Sequence, residues 1–495
     1  MSGDPQAGEA GARAPDLLST TEAGPAAIRG GALRVVSFAA GSLFAIAAGA
    51  ILFRHLGVVD TGRYTTALSL GALVTGFTDL GLTAVGIREL ATHEGEQRAR
   101  LARNLLGIRL ALTIVGVALV TAFAFIAYGA LLGVGVLITG AGVLVANVQA
   151  TLAVPLMAGL RLGWVSALDF GRALVATAVI VGFVLLGANL LPFLTAPAIA
   201  AVCVLVPTAL LVRSDIPLRP AFELQRWRTL LGPVLTYSIA VAAATLYFRI
   251  AVVLVSLLAS GVQLGYFSLS FRIVEALFVI PGLLVGAAFP IFARAARDDP
   301  ARLGYALARV FEVSLIVGAW TALALAIGAP LAVELIGGER FAPAAPILAI
   351  QGLAVGATFV NAVWGYGMLS QHLHRTILLF NLVSLPVVTV TVAVLVKLDG
   401  ARGAAIGTAA VEVGMAIVGG ILLVHDRPHL RPRLAVVPKV ALASLLGASP
   451  MLIDGLPVLA RLALSSAIYG VVLLAVRAYP EELKALMPAR LRRRR

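Results

Sequence analysis

Two arginines, Arg249 and Arg272, stand inside apolar runs of this 495-residue sequence, and a carboxylate, Glu275, follows the second at i+3. A guanidinium in hydrocarbon costs at least ~2.5 kcal/mol unless it is paired or faces water, so each arginine is either half of an ion pair or part of the wall of a hydrated cavity. The i+3 spacing puts Arg272 and Glu275 on one helix face, where the carboxylate can neutralise the cation. Asp79, Glu275 and Glu412 fall near the middle of apolar runs. A carboxylate there either binds a proton or cation in one conformation, coupling the protein to an ion gradient, or makes a structural hydrogen bond or salt bridge. For Asp79, followed by Gly81 at an expected close contact, the structural reading is favoured. Asp169 and Arg172, an i,i+3 pair, read as interfacial, and Asp60, Arg54 and Arg63 as solvated. His372 and His374 have no matching carboxylate or cysteine nearby and read as a loop rather than a metal site. Cys203 is the single cysteine, in an apolar run, which excludes a disulfide framework and a Cys-ligated metal. No cofactor is expected.

The elements that must position these residues are membrane helices. Hydrophobic residues make up 60% of the chain and charged residues 13%, with a mean hydropathy of +0.99, which excludes a soluble multidomain protein. About fourteen apolar stretches are each long enough to cross a bilayer: 33–53, 64–88, 104–126, 130–156, 167–187, 191–213, 231–258, 264–289, 308–335, 344–369, 376–396, 401–424, 434–453 and 456–477. The formal charge of +14 would suit a nucleic-acid binder, but most of the 38 Lys and Arg fall on one set of alternate connectors and the tails. The opposite loops carry five: Arg54, Arg63, Arg340, Lys397 and Arg402. That asymmetry sets orientation, with both termini cytoplasmic in a plasma or inner membrane, and no nucleic-acid partner. Arg249 and Arg272 then lie nine and eight residues inside the outer ends of their spans, ~12–14 Å deep at 1.5 Å per residue, and can share one level.

The chain also matches itself at an offset of about 200 residues. Gly62-Arg63-Tyr64 corresponds to Gly265-Tyr266-Phe267, Arg88 to Arg294, and Ile114-Val115-Gly116 to Ile316-Val317-Gly318. Paired segments run in the same direction, which predicts parallel repeats about an axis along the membrane normal. The expected organisation is a disordered cytoplasmic tail at 1–30, a six-helix bundle at 31–213, a linker at 214–230 and a second six-helix bundle at 231–425. Two further helices follow at 434–477, then a basic tail at 478–495 ending Leu491-Arg492-Arg493-Arg494-Arg495, a positive-inside anchor. Charged connectors such as 88–103 are expected to lie as amphipathic helices on the cytoplasmic surface. Small residues at four-residue spacing, Gly41, Ala45 and Gly49, read as close helix packing. Pro155, Pro207, Pro233, Pro281 and Pro386 are candidate bends.

The stretch Phe53-Arg54-His55-Leu56-Gly57-Val58-Val59-Asp60-Thr61-Gly62-Arg63-Tyr64, then Thr78-Asp79-Leu80-Gly81-Leu82 and Ile87-Arg88-Glu89-Leu90, resembles the N-terminal signature of polysaccharide flippases. These are the Wzx-like branch of the multidrug/oligosaccharidyl-lipid/polysaccharide exporter superfamily. Tyr247-Phe248-Arg249, Gly265-Tyr266-Phe267-Ser268, Phe271-Arg272-Ile273-Val274-Glu275-Ala276 and Phe289-Pro290 are similar to the family's seventh and eighth helices. The resemblance covers roughly 31–425. Many relatives have twelve helices, so the last two spans match less closely, and Ala251 stands where relatives often carry an acidic residue.

The resemblance implies an all-α, MATE-like transporter, not an enzyme, that exports a polyprenyl-pyrophosphate-linked oligosaccharide by alternating access for cell-surface polysaccharide biosynthesis. Membrane lipids, a polysaccharide polymerase and glycosyltransferases are the implied partners. Such a cargo needs a hydrated cationic cavity for its sugars and pyrophosphate, while its tail stays in lipid. Arg272 and Arg249 are the expected substrate-binding residues, since a guanidinium's planar fork donates two hydrogen bonds to phosphate oxygens. A multidrug extruder of the same superfamily would carry a cavity richer in aromatics and carboxylates, and a non-transporting scaffold would use its charges structurally.

Overall fold

The computed structural model describes residues 23–478 except 80, 233 and 234. The expected tail segments 1–22 and 479–495, with Leu491–Arg495, and the candidate bend at Pro233 lie outside the described residues. The described chain is helical, without strands. Helix α1 (Ala23–Asp79) starts inside the expected N-terminal tail and breaks at Gly57, whose φ of 73° suits glycine, so its two arms run back to back across the fold. Helices α2 (Leu82–Thr92), α3 (Gly95–Tyr128), α4 (Ala130–Ala158), α5 (Leu162–Leu185) and α6 (Leu190–Val212) complete a first bundle around it. A short helix α7 (Leu224–Leu231) lies in the linker. The second bundle comprises α8 (Leu235–Leu258), α9 (Gly261–Leu277), α10 (Val279–Gly286), α11 (Phe289–Asp298), α12 (Pro300–Gly337), α13 (Ala345–Ser370) and α14 (His374–Asp426). Helices α15 (Val436–Gly447) and α16 (Val458–Ala475) pack against α12.

Among the described residues, eleven helices are long and apolar enough to cross a membrane. Two of them contain breaks, α1 at Gly57 and α14 at Asp399–Gly400, and so double back. The thirteenth expected span, 434–453, corresponds to Val436–Leu452, which is shorter than these, and the fourteenth to Val458–Ala475. Polarity is arranged as lipid requires: Leu119, Ile126, Leu185 and Val390 point outward, while Asn147, Gln149, Arg109 and Gln351 are buried. Of the expected bends, Pro281 coincides with a break, because its ring conflicts with the carbonyl four residues back, that of Leu277, where α9 ends. Pro155, Pro207 and Pro386 lie within continuous helices.

The linker is strapped to the first bundle. Arg100 on α3 donates from Nε and Nη2 to Glu223 (3.0 and 2.6 Å), Asn104 donates to the same carboxylate at 3.1 Å, and the Ala221 amide donates to the Arg103 carbonyl at 2.9 Å. The Arg100 guanidinium holds the Glu223 carboxyl down at about 2. Since the folded value lies below the ordinary 4.5, the strap's contribution is complete above about pH 4.5 and is lost as pH falls toward about 2. Hydrogen exchange at the Ala221 and Glu223 amides, corrected for intrinsic rate, is therefore expected to stay slow from pH 7 to 5 and to accelerate below pH 4. Glu223→Gln should exchange fast at pH 7, and equal protection in that variant would show that the carboxylate does not hold the linker.

Candidate functional site: a charged cavity between the bundles

A cavity of about 530 Å³ opens beside the two arms of α1, within the size range of small-molecule sites. Both arms of α1, with α4, α5 and α6, form most of its wall, and α9 of the other bundle adds one side chain, Arg272. Small residues make the space: Ala45, Gly49, Ala72, Ala146 and Ala176 leave room where larger side chains would fill it. Gly49 therefore has a different role from the close packing expected, because a Cβ there would meet nothing within 4 Å. Three charged groups line the cavity, Arg272, Arg172 and Asp169, beside the hydroxyls of Tyr64, Thr75, Thr139 and Thr177.

Arg272 is half-exposed (43%) and donates to Glu275 Oε2 at 2.9 Å across one helical turn. The other carboxylate oxygen accepts from Arg249 on α8, so one carboxylate bridges two guanidiniums and the trio keeps a net positive charge. Arg249 is packed over the Phe248 and Phe271 rings, 5.3 and 5.6 Å from their centroids, and is absent from the cavity wall. The expected pair of cavity arginines thus divides: Arg272 faces the space, and Arg249 holds Glu275 behind it.

The other expected carboxylates lie apart. Asp79 ends α1, where Gly81 turns the chain in a left-handed conformation, and it pairs with the buried Arg109 of α3 and accepts from Thr83 at 2.6 Å. Counted from the break at Gly57, Asp79 is ~32 Å along its helix at 1.5 Å per residue, at the basic end of the fold rather than mid-span. Glu412 on α14 accepts from Tyr247 Oη at 2.7 Å and Asn361 Nδ2 at 2.7 Å, with no cationic partner among the described residues. It borders a separate cavity of about 40 Å³ together with Tyr247, Gln351, Thr408 and Ala251, which suits a water-sized occupant. The position where relatives often carry an acid and this carboxylate therefore share one space, reached from different helices.

Arg172 and Asp169 form the expected i,i+3 pair, at 3.7 Å, and both lie on the cavity wall. Helix α5 begins at Leu162, five residues before the expected start, so Arg172 lies ~15 Å from the helix end, where it lines the cavity. Arg54 is exposed as expected, and its Nη2 also donates to the Glu334 and Leu335 carbonyls at the end of α12, at 3.0 and 2.9 Å. Arg63 pairs with Asp60 at 2.9 Å.

The two bundles of long apolar helices define a multi-pass membrane protein with the fold seen in solved MOP superfamily transporters. A family model described as polysaccharide biosynthesis protein matches residues 29–296, and the chain belongs to that family. Among solved structures, the chain is similar to the lipid II flippase MurJ in an inward closed conformation, with a TM-score of 0.75 and 12% identity over 90% of this chain and 99% of that one. It is also similar to a MOP superfamily transporter from Pyrococcus furiosus, with a TM-score of 0.55 and 17% identity over 82% of this chain and 96% of that one. The eukaryotic MATE transporter AtDTX14 gives a TM-score of 0.56 and 17% identity over 81% and 95%. No curated protein matches.

Proposed function

We propose that this protein moves a polyprenyl-pyrophosphate-linked oligosaccharide from the cytoplasmic to the outer leaflet of the cell membrane by alternating access, delivering it to the polymerase and glycosyltransferases of surface-polysaccharide assembly. The observation that carries this reading is Arg272, half-exposed in an internal cavity whose charged side chains sum to a net positive charge. A fork-shaped cation suits a pyrophosphate, and the membership of the polysaccharide biosynthesis family favours a sugar-bearing cargo. The small-residue wall gives space for sugars, while the tail remains in lipid. A drug extruder is less well supported, since among the described residues Phe53 and Tyr64 are the only aromatics on the wall. Both termini are placed in the cytoplasm on the Lys and Arg asymmetry. Of the three candidate coupling carboxylates, Glu412 is the one without a cationic partner among the described residues, and we assign it the proton or cation that would drive the cycle.

Cells depleted of the protein are expected to accumulate a cytoplasm-facing polyprenyl-pyrophosphate oligosaccharide, which wild type relieves and a stably inserted Arg272→Ala does not. Relief of more than tenfold by wild type over Arg272→Ala corresponds to the loss of one charge-assisted contact, about 1.5–3 kcal/mol. Glu412→Gln should bind cargo yet fail to relieve accumulation. Depletion without accumulation, in cells lacking a redundant flippase, would sink the proposal.

A further inference from the structure

The first bundle contributes its own cation to the cavity, and the way that cation is held differs from the way Arg272 is held. Arg172 donates to Gln149 Oε1 at 2.5 Å, whereas the Asp169 carboxylate stands 3.7 Å away and is 55% exposed. Charge-assisted hydrogen bonds run at about 2.7–2.9 Å. Asp169 therefore balances the charge of Arg172 without occupying one of its donors.

Gln149 is buried, and its amide orientation is determined by Thr208 on α6. The Thr208 hydroxyl donates to the Val204 carbonyl at 2.8 Å, so its oxygen can only accept, and Gln149 Nε2 donates to it at 3.0 Å. The Gln149 oxygen must then face Arg172. A fixed neutral acceptor thus aims the guanidinium, and a loose carboxylate neutralises it.

We infer that Arg172 is the first-bundle arm of the anionic headgroup site, opposite Arg272, with Asp169 as a resident counter-ion that the entering pyrophosphate replaces and Gln149 as a positioning residue. The inference rests on the reading of this cavity as the seat of a pyrophosphate. Two phosphates suit two guanidiniums, each able to donate a pair of hydrogen bonds. Because α5 and α9 belong to different bundles, a bound headgroup would brace the bundles together, and an empty cavity would keep Arg172 neutralised by Asp169. Displaced into the cavity, Asp169 faces the hydroxyl-bearing wall, where it can accept from sugar hydroxyls.

The test measures binding of two probes, farnesyl pyrophosphate and farnesyl monophosphate, to the full-length protein in lipid nanodiscs, with thermal unfolding recorded for every variant. Arg172→Gln is expected to weaken pyrophosphate binding about tenfold, the scale of one charged hydrogen bond, and to erase the preference over monophosphate. Asp169→Asn should tighten it roughly two- to fivefold, the scale of a partly exposed ion pair. Gln149→Leu should weaken pyrophosphate binding with Arg172 still present, and lose the pyrophosphate preference. If Asp169→Asn weakens binding as Arg172→Gln does, or if neither changes it while Arg272→Ala does, the inference is overturned and the cavity reading stands. If wild type does not bind, or Arg272→Ala binds as wild type does, both fall.

Discussion

Asp79→Ala is expected to lower stability by about 3 kcal/mol, the lower end of the penalty for leaving a buried charge unpaired. Arg109 is 5% exposed and Asp79 30%, so the carboxylate is the better hydrated partner, which argues for the lower end. Without Asp79, the guanidinium retains only the hydroxyls of Thr83 at 3.1 Å and Thr151 at 3.3 Å, neither of which carries charge. The pair also ties the end of α1 to α3 just where Gly81 interrupts the helix, so its loss loosens the basic end of the first bundle. Around it, Asn147 donates to Thr78 at 2.9 Å and to Thr113 at 3.0 Å, which binds α4 into the same junction. Asp79→Leu with Arg109→Met should recover most of the loss, since replacing both members of a buried pair by apolar groups is often neutral or stabilising. Thermal unfolding of detergent-purified Asp79→Leu, Arg109→Met and the double variant checks this as a double-mutant cycle. Additive losses, with the double variant the least stable, would show that the pair is not coupled.

How far such a junction can be read from sequence depends on where its members lie. Long apolar runs and one-sided arginines specify helices and their alternation, because a hydrophobic stretch of that length has few other fates. Glu275 beside Arg272 was legible for the same reason, since its partner lies one turn away on one helix. Arg109 was not: an arginine near the basic end of a span looks like an interfacial anchor, and its partner is 30 residues away on another helix. The depth of Arg172 along its helix was not legible, because Leu162-Gly163-Trp164 carries too weak an apolar signal to show that the helix has already begun. Glycines are the least legible of all, since sequence alone does not distinguish Gly49, which opens a cavity, from Gly265, which closes a seam.

That seam carries the second large effect. Gly62 and Gly265, which correspond in the internal repeat, meet where the second arm of α1 runs beside α9 at the end opposite the basic loops. A Cβ on Gly62 would lie 2.8 Å from Leu264 Cγ and 3.0 Å from the Gly265 nitrogen, and one on Gly265 would strike the Val58 carbonyl, which is backbone and cannot rotate away. Two further ties cross between the bundles at this end: Arg54 on the α12 C-terminal carbonyls, where the helix dipole favours a cation, and Tyr128 Oη with Ser256 Oγ at 2.7 Å. Gly265→Val should force the bundles apart here. Overpacking of this kind costs about 1–3 kcal/mol, which shifts a two-state equilibrium by roughly five- to a hundred-and-fiftyfold toward the form open at this end. The cavity-lining Ala72 offers the reporter. In a Cys203→Ser, Ala72→Cys background, Gly265→Val is expected to raise labelling by a membrane-impermeant maleimide from the outer side at least about fivefold, and to abolish transport because the closed state is no longer reached. Gly49→Ala, with nothing within 4 Å of its added methyl, should label as the parent does and serves as the control. If Gly265→Val is stably inserted and labels no faster than Gly49→Ala, then the glycine contact does not gate this end, and the hydrogen bonds of Arg54 and Tyr128 must hold it shut without help.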